Sequence, residues 1–148
     1  MKKYELTKET KEVLGNILFR IKALIDFGNV KKGELGGFIE KEENLSQSNK
    51  AWVYGNAHLY GNAWVYGNAR ICGDAWVYGN AWVYDNAQVY GDARICGKVK
   101  VNHKLCSKFN FEFNWQIKLW QKLEKEFEKE VENGKKRKNK NEMREQAL

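Results

Sequence analysis

The chain has 148 residues, enough for one compact domain with appendages. Its 26 Lys and Arg outnumber its 19 Asp and Glu, giving a net charge of +7 that suits an acidic protein surface or a polyanion as partner. The opening MKKYELTKET has no apolar signal core, the best apolar run (NILFRIKALIDF) is broken by charges, and three cysteines without a CxxC pair fit reduced thiols, so a cytoplasmic protein outside the membrane is expected.

Residues 1–34 read as an N-terminal β-hairpin cap. Ile17 to Leu24 alternate in part between apolar and polar, and Gly28-Asn29 and Gly33 supply turns. A six-residue pattern then starts in degraded form. Ile39 and Leu45 stand six apart, and two extra residues precede the phase of Val53.

The pattern becomes strict in AWVYGNAHLYGNAWVYGNARICGDAWVYGNAWVYDNAQVYGDARICG, residues 51–97. Aliphatic residues recur every six positions from Val53 through Leu59, Val65, Ile71, Val77, Val83, Val89 and Ile95 to Val101. A small residue follows each four positions later, from Ala57 to Ala93, with Gly-Asn or Gly-Asp pairs between, broken only at Asp85 and Lys98. A period of six does not fit a helix, and the Gly-Asn pairs would interrupt one. Each unit instead reads as a short strand and a tight corner, because Gly and Asn tolerate the positive φ of a sharp turn. Within the strand the Val points one way while Trp and Tyr point the other. Three units make a triangular coil of eighteen residues, and residues 35–104 hold roughly four coils, on the order of 19 Å tall at paired-strand spacing.

This pattern resembles the hexapeptide-repeat proteins, whose motif is an aliphatic residue, three variable positions, a small residue and one more variable position. The resemblance is strict over about 48 residues. It implies a left-handed parallel β-helix, although the hand does not follow from the period itself. LGGFIEKEENLSQ followed by VYGNA units also looks like small phage or prophage members of that type, across most of residues 3–98.

After the repeat the period changes. In residues 105–134, Phe113, Ile117, Trp120, Leu123 or Glu124, Phe127 and Val131 recur three or four apart, predicting an amphipathic helix from about Asn114 to Asn133. Asn114 is its expected N-cap and Gly134 its C-cap. The apolar face should cover an end or side of the β-helix, or pair with another copy in a homodimer or homotrimer. Residues 135–148 form a basic tail, expected to be disordered. Its Lys135, Lys136, Arg137, Lys138 and Lys140 suit salt-sensitive contact with nucleic acid or an acidic partner. The expected fold class is therefore all-β: a left-handed parallel β-helix with an N-terminal β cap and a C-terminal amphipathic α-helix.

Stacking every third unit makes outward columns. One carries Trp52, Arg70 and Gln88 beside Tyr54, Cys72 and Tyr90; a second carries His58, Trp76 and Arg94 beside Tyr60, Tyr78 and Cys96; the third stacks Trp64 on Trp82 and Tyr66 on Tyr84. Aromatic ladders of this kind can simply stabilise stacked strands. They can also form a binding face, since Trp, Tyr and Arg dominate interface hot spots. Trp52, Trp64, Trp76, Trp82, Tyr66, Tyr84, Arg70 and Arg94 are the candidate partner-binding residues, with the Trp64/Trp82 face the richest.

Enzymatic chemistry has fewer hints. Many hexapeptide proteins are acyltransferases that use a histidine base, which draws notice to His58 and His103. His58 stands at an ordinary outward strand position, expected to be exposed, with no acidic neighbour to orient it, and His103 lies where the repeat decays. Cys72 and Cys96 share no column, so neither a disulfide nor a metal site is expected, and no motif calls for a cofactor. The expectation is a non-catalytic, phage- or prophage-associated protein that binds a protein or ribonucleoprotein and inhibits a bacterial host defence complex in the manner of an anti-CRISPR. A coenzyme A-dependent acyltransferase is the alternative.

Overall fold

The structure is a computed structural model, and it describes residues 2–107, 110–127 and 129. Residues 2–114 fall in one compact unit and the helix that follows in a second.

The first unit opens with a long hairpin of β1 (Tyr4–Val13) and β2 (Asn16–Ala23), antiparallel from Tyr4 opposite Ala23 to Val13 opposite Asn16. Leu14 and Gly15 turn it with φ of 49° and 84°, the paired left-handed geometry that matches strand twist in a two-residue loop. β3 (Leu35–Ile39) then pairs antiparallel with β2 and parallel with the second strict repeat strand, Phe38 against His58 and Ile39 against Leu59. The hairpin and the repeat therefore share one sheet.

The repeat folds as a β-solenoid of about four turns. Its strands are β4 (Trp52–Val53), β5 (His58–Leu59), β6 (Trp64–Val65), β7 (Arg70–Ile71), β8 (Trp76–Val77), β9 (Trp82–Val83), β10 (Gln88–Gly91), β11 (Arg94–Ile95) and β12 (Lys100–Val101). Two further rungs, β13 (Lys104–Ser107) and β14 (Asn110–Phe111), carry the solenoid beyond residue 104, although the hexapeptide spacing has decayed there. They form three parallel faces: β3-β5-β8-β11-β14 behind the hairpin, β4-β7-β10-β13, and β6-β9-β12. Partners such as Trp64 and Trp82, or Val65 and Val83, stand eighteen residues apart. In the N-terminal coil the offset is twenty, Ile39 against Leu59 and Leu45 against Val65, so two extra residues are absorbed before β4.

The core is a column of aliphatic and alanine side chains. Val53, Leu59, Val65, Ile71, Val77, Val83, Val89, Ile95 and Val101 are fully buried, as are the alanines from Ala69 to Ala93 at the corners. Small residues fill the corners, with Val99 taking the last of these positions equally buried, and burying each Val or Ile stabilises the fold by roughly 1.5–3 kcal/mol. The corners need left-handed backbone. A side chain on Gly67, at φ 68°, would bring its Cβ within 2.9 Å of the Asp85 backbone nitrogen one coil along. Asp85 itself adopts φ 56° without being glycine.

Open solenoid ends expose unpaired backbone groups. At the N-terminal end these are met by side chains. The Asn44 amide donates to the Ala63 carbonyl at 2.9 Å and the Gly61 carbonyl at 3.2 Å. The Lys3 ammonium donates to the Ala51 carbonyl at 2.7 Å, and burial lowers its pKa to about 8.

Residues 114–127 are helical, with Asn114 the last residue of the first unit and the rest in the second. The Asn114 side chain does not follow the N-cap expectation: its Oδ1 accepts the Lys100 backbone N–H at 2.9 Å. The expected helical extension to Asn133 with Gly134 as its C-cap lies outside the described residues, apart from position 129. The basic residues Lys135, Lys136, Arg137, Lys138 and Lys140 lie outside them too. No helix among the described residues is long and apolar enough to cross a membrane.

Candidate partner-binding surface

Each solenoid strand turns one aliphatic side chain inward and the flanking residues outward, so the coil repeat stacks the outward groups of every third unit into columns. The three columns have different fates.

On β4-β7-β10-β13 the column is Trp52, Arg70, Gln88 and Lys104, with the Lys104 ammonium 5.6 Å from the Tyr90 ring centroid. Trp52 does not belong to the exposed set in which its sequence position placed it. It is fully buried, held edge-on by Phe27 at 5.2 Å and by Tyr4 at 6.1 Å between ring centroids. Both rings come from the N-terminal segment, which the hexapeptide period does not describe. Arg70 is half-buried.

On β3-β5-β8-β11 the column is Phe38, His58, Trp76 and Arg94. His58 is also not exposed as expected, with only 3% of its surface accessible. Its ring lies 5.7 Å from Phe38 and 5.3 Å from Trp76, and neither ring nitrogen has a hydrogen-bond partner. Burial lowers its pKa to about 4, helped by the positive charge of Lys11. Trp76 is half-buried and capped by the Arg94 guanidinium at 4.3 Å, while Tyr60 and Tyr78 stack in parallel at 4.9 Å. Most of this column's aromatic surface is thus consumed within the molecule.

The β6-β9-β12 column remains open. Trp64 and Trp82 keep 40% and 36% of their surface, with rings 5.7 Å apart and nearly perpendicular at 87°. Trp64 stacks on Tyr66 at 3.9 Å, and Tyr66 stacks on the half-buried Tyr84 at 5.3 Å. Lys100 closes the column with its ammonium 4.7 Å from the Trp82 ring. Amide pairs border the patch: Asn62 donates to Asn80 at 3.2 Å on one corner, and Asn68 to Asn86 at 3.4 Å on the other. Lys100 was missed from sequence, although it stands eighteen residues after Trp82 and extending the column would have found it.

Such a patch suits recognition. Large side chains braced by their neighbours lose little conformational entropy when a partner covers them. The edge-to-face Trp pair and axially stacked Tyr pair present a ridged relief of ring edges. His103 is half-buried in the turn between β12 and β13. Among the described residues no group of three His, Cys, Asp or Glu could hold a metal ion. All three cysteines are free thiols. Of the apolar residues predicted for the C-terminal helix and its approach, Ile117 is buried, Trp120 half-buried, and Phe113 and Phe127 exposed.

No curated protein matches the chain significantly. A family model described as YdcK Beta solenoid repeat matches residues 69–85, nearly one coil running from Ala69 through β7, β8 and β9. Together with the stacked coils, that match identifies a repeat β-solenoid protein similar, over this coil, to the YdcK repeat.

Proposed function

We propose that this is a non-catalytic binding protein whose Trp64/Trp82/Tyr66/Tyr84 face docks on a protein or ribonucleoprotein. One observation carries the reading. The fold buries Trp52 completely and half-buries Trp76 under Arg94, yet leaves Trp64 and Trp82 exposed side by side, with Lys100 over one end of the pair. Solenoid architecture does not require them, since Arg70, Gln88 and Arg94 fill the same strand position. The ridged, perpendicular packing of the Trp pair favours interdigitation with side chains over flat stacking of a base or sugar. Lys100 at its end, with the net charge of +7, favours an acidic partner.

The resemblance to small phage proteins gives the biological setting: a phage- or prophage-encoded inhibitor acting in the bacterial cytoplasm by occluding a host defence complex. Occlusion needs only a rigid surface, and the solenoid supplies one. The acyltransferase alternative draws little support from His58. It is enclosed by Phe38 and Trp76, where it offers no nitrogen to an acceptor, and the strict repeat inserts no loop to form a cleft beside it.

The test is affinity capture from a bacterial host lysate with the full chain and with the Trp64→Ser/Trp82→Ser double variant. The double variant should lose the captured partner while keeping its fold by circular dichroism. Equal capture by both would make the open face a structural ladder only.

A further inference from the structure

On the face formed by β4, β7 and β10, Tyr54, Arg70, Cys72 and Gln88 line a groove of about 330 Å³, joined by Asn29 from the turn after Phe27. The hydrogen-bonding groups here are left free for a ligand. Neither the Asn29 amide, the Tyr54 hydroxyl, the Arg70 guanidinium nor the Gln88 amide bonds to another described residue. Only Cys72 is committed, its thiol donating to the Val89 carbonyl at 3.5 Å. No carboxylate is among the described residues that line the groove. Burial raises the Tyr54 and Cys72 pKa values, and Arg70 pulls both back down, so its charge is felt across the site.

We propose that this groove binds a single carboxylate group. A guanidinium offers its N–H donors as a planar fork that meets the two oxygens of a carboxylate together. The Gln88 and Asn29 amides and the Tyr54 hydroxyl add donors for the remaining lone pairs. One cation matches one negative charge. Glu34, whose charge pushes the Tyr54 pKa upward, repels any anion here, and a phosphate dianion more strongly than a carboxylate. The carboxylate can arrive on an acidic side chain of a protein or on a small free molecule. Arg70 follows Tyr66 by four residues around the Asn68 corner, so a protein seated on the Trp64/Trp82 face could reach it. The site itself stands independently of that face.

The experiment titrates the full chain, labelled with nitrogen-15, against N-acetylglutamic acid α-amide, its neutral glutamine counterpart, and inorganic phosphate. The carboxylate should shift the Arg70 Nε and Gln88 side-chain resonances saturably. The glutamine counterpart and phosphate should act at least tenfold more weakly. Arg70→Gln should abolish the shift and Arg70→Lys weaken it. The glutamine variant fits the fold, because Gln88 already occupies this column. Affinity capture with R70Q separates the two sources: loss of the partner places the carboxylate on it, and unchanged capture assigns the groove to a free small carboxylate. Absent or unsaturable shifts, equal shifts from the neutral analogue, or tighter binding of phosphate would overturn the assignment. Failure of the Trp64/Trp82 reading would leave the titration untouched.

Discussion

Trp52 and Trp64 hold the same position of the repeat twelve residues apart, yet Trp52 is 0% exposed and Trp64 40%. The difference lies entirely in what covers them. Tyr4 and Phe27 close over Trp52, whereas among the described residues Trp64 meets only Tyr66 and Trp82 as ring partners. Stability and recognition should therefore separate between two chemically identical residues. Trp52→Ala should cost about 3–5 kcal/mol, the usual range for emptying a buried aromatic site. Trp64→Ala should cost about 1 kcal/mol, from lost ring contacts with Tyr66 and Trp82. Urea unfolding of the two variants checks this; equal losses would mean that Trp64 is as structural as Trp52.

This contrast also shows where the sequence is readable. The hexapeptide period yields the strand positions, the eighteen-residue register and the inward set, because stacked backbone geometry repeats with it. Arg70 against Trp52, Trp76 against His58 and Trp82 against Trp64 all follow from counting. What the period cannot supply is any contact made by non-repeating segments. Trp52 and His58 are covered by rings from Tyr4, Phe27 and Phe38, whose approach depends on the hairpin and on close packing at Gly36 and Gly37. The open Trp64/Trp82 patch was legible as a column. Its isolation from those covers became visible only in three dimensions, as did the Arg70 groove, which needs Asn29 from outside the repeat.

Gly36 and Gly15 test two different reasons for glycine. A Cβ on Gly36 would sit 2.6 Å from the Val53 carbonyl oxygen and 2.7 Å from both Ile21 Cγ1 and Trp52 Cζ2. Gly15 has open space but a φ of 84° in the hairpin turn. Gly36→Ala should cost about 1–3 kcal/mol by overpacking and increase the exposure of Trp52, seen as a red shift of its fluorescence. Gly15→Ala should cost about 1–2 kcal/mol through backbone strain and leave the Trp52 environment unchanged. A Gly36→Ala variant as stable as the parent would mean that the β3-to-β4 contact is looser than this geometry.

The thiols should react in a fixed order. Cys106 is exposed, whereas Cys72 is half-buried, donates to the Val89 carbonyl, and has its pKa raised by burial. The thiolate is the reactive form, so alkylation by iodoacetamide at pH 8 should label Cys106 well before Cys72. Mass spectrometry of peptides from timed reactions reads the order. Faster labelling of Cys72 would show that its face opens in solution.

His58 should make the fold acid-sensitive. Its ordinary pKa of 6.5 is lowered to about 4 by burial between Phe38 and Trp76. An unfolded chain takes up this proton near pH 6.5, while the folded chain resists it until about pH 4. Between those values the unfolded state binds more protons, so folding stability falls as the pH drops. Above pH 6.5 the residue adds no pH dependence, and below about pH 4 the full loss, about 3 kcal/mol, is reached. His58→Phe keeps an aromatic ring between Phe38 and Trp76 but cannot take the proton, and it removes two buried nitrogens that have no hydrogen-bond partner. Urea midpoints for both proteins from pH 7.5 to 4 isolate the effect, because every other acid-titrating group is common to the two. The variant should be at least as stable as the parent at pH 7.5 and increasingly more stable toward pH 4. Parallel curves would show that His58 accepts its proton in the folded state as readily as in the unfolded chain, and that the Phe38–His58–Trp76 stack opens to water.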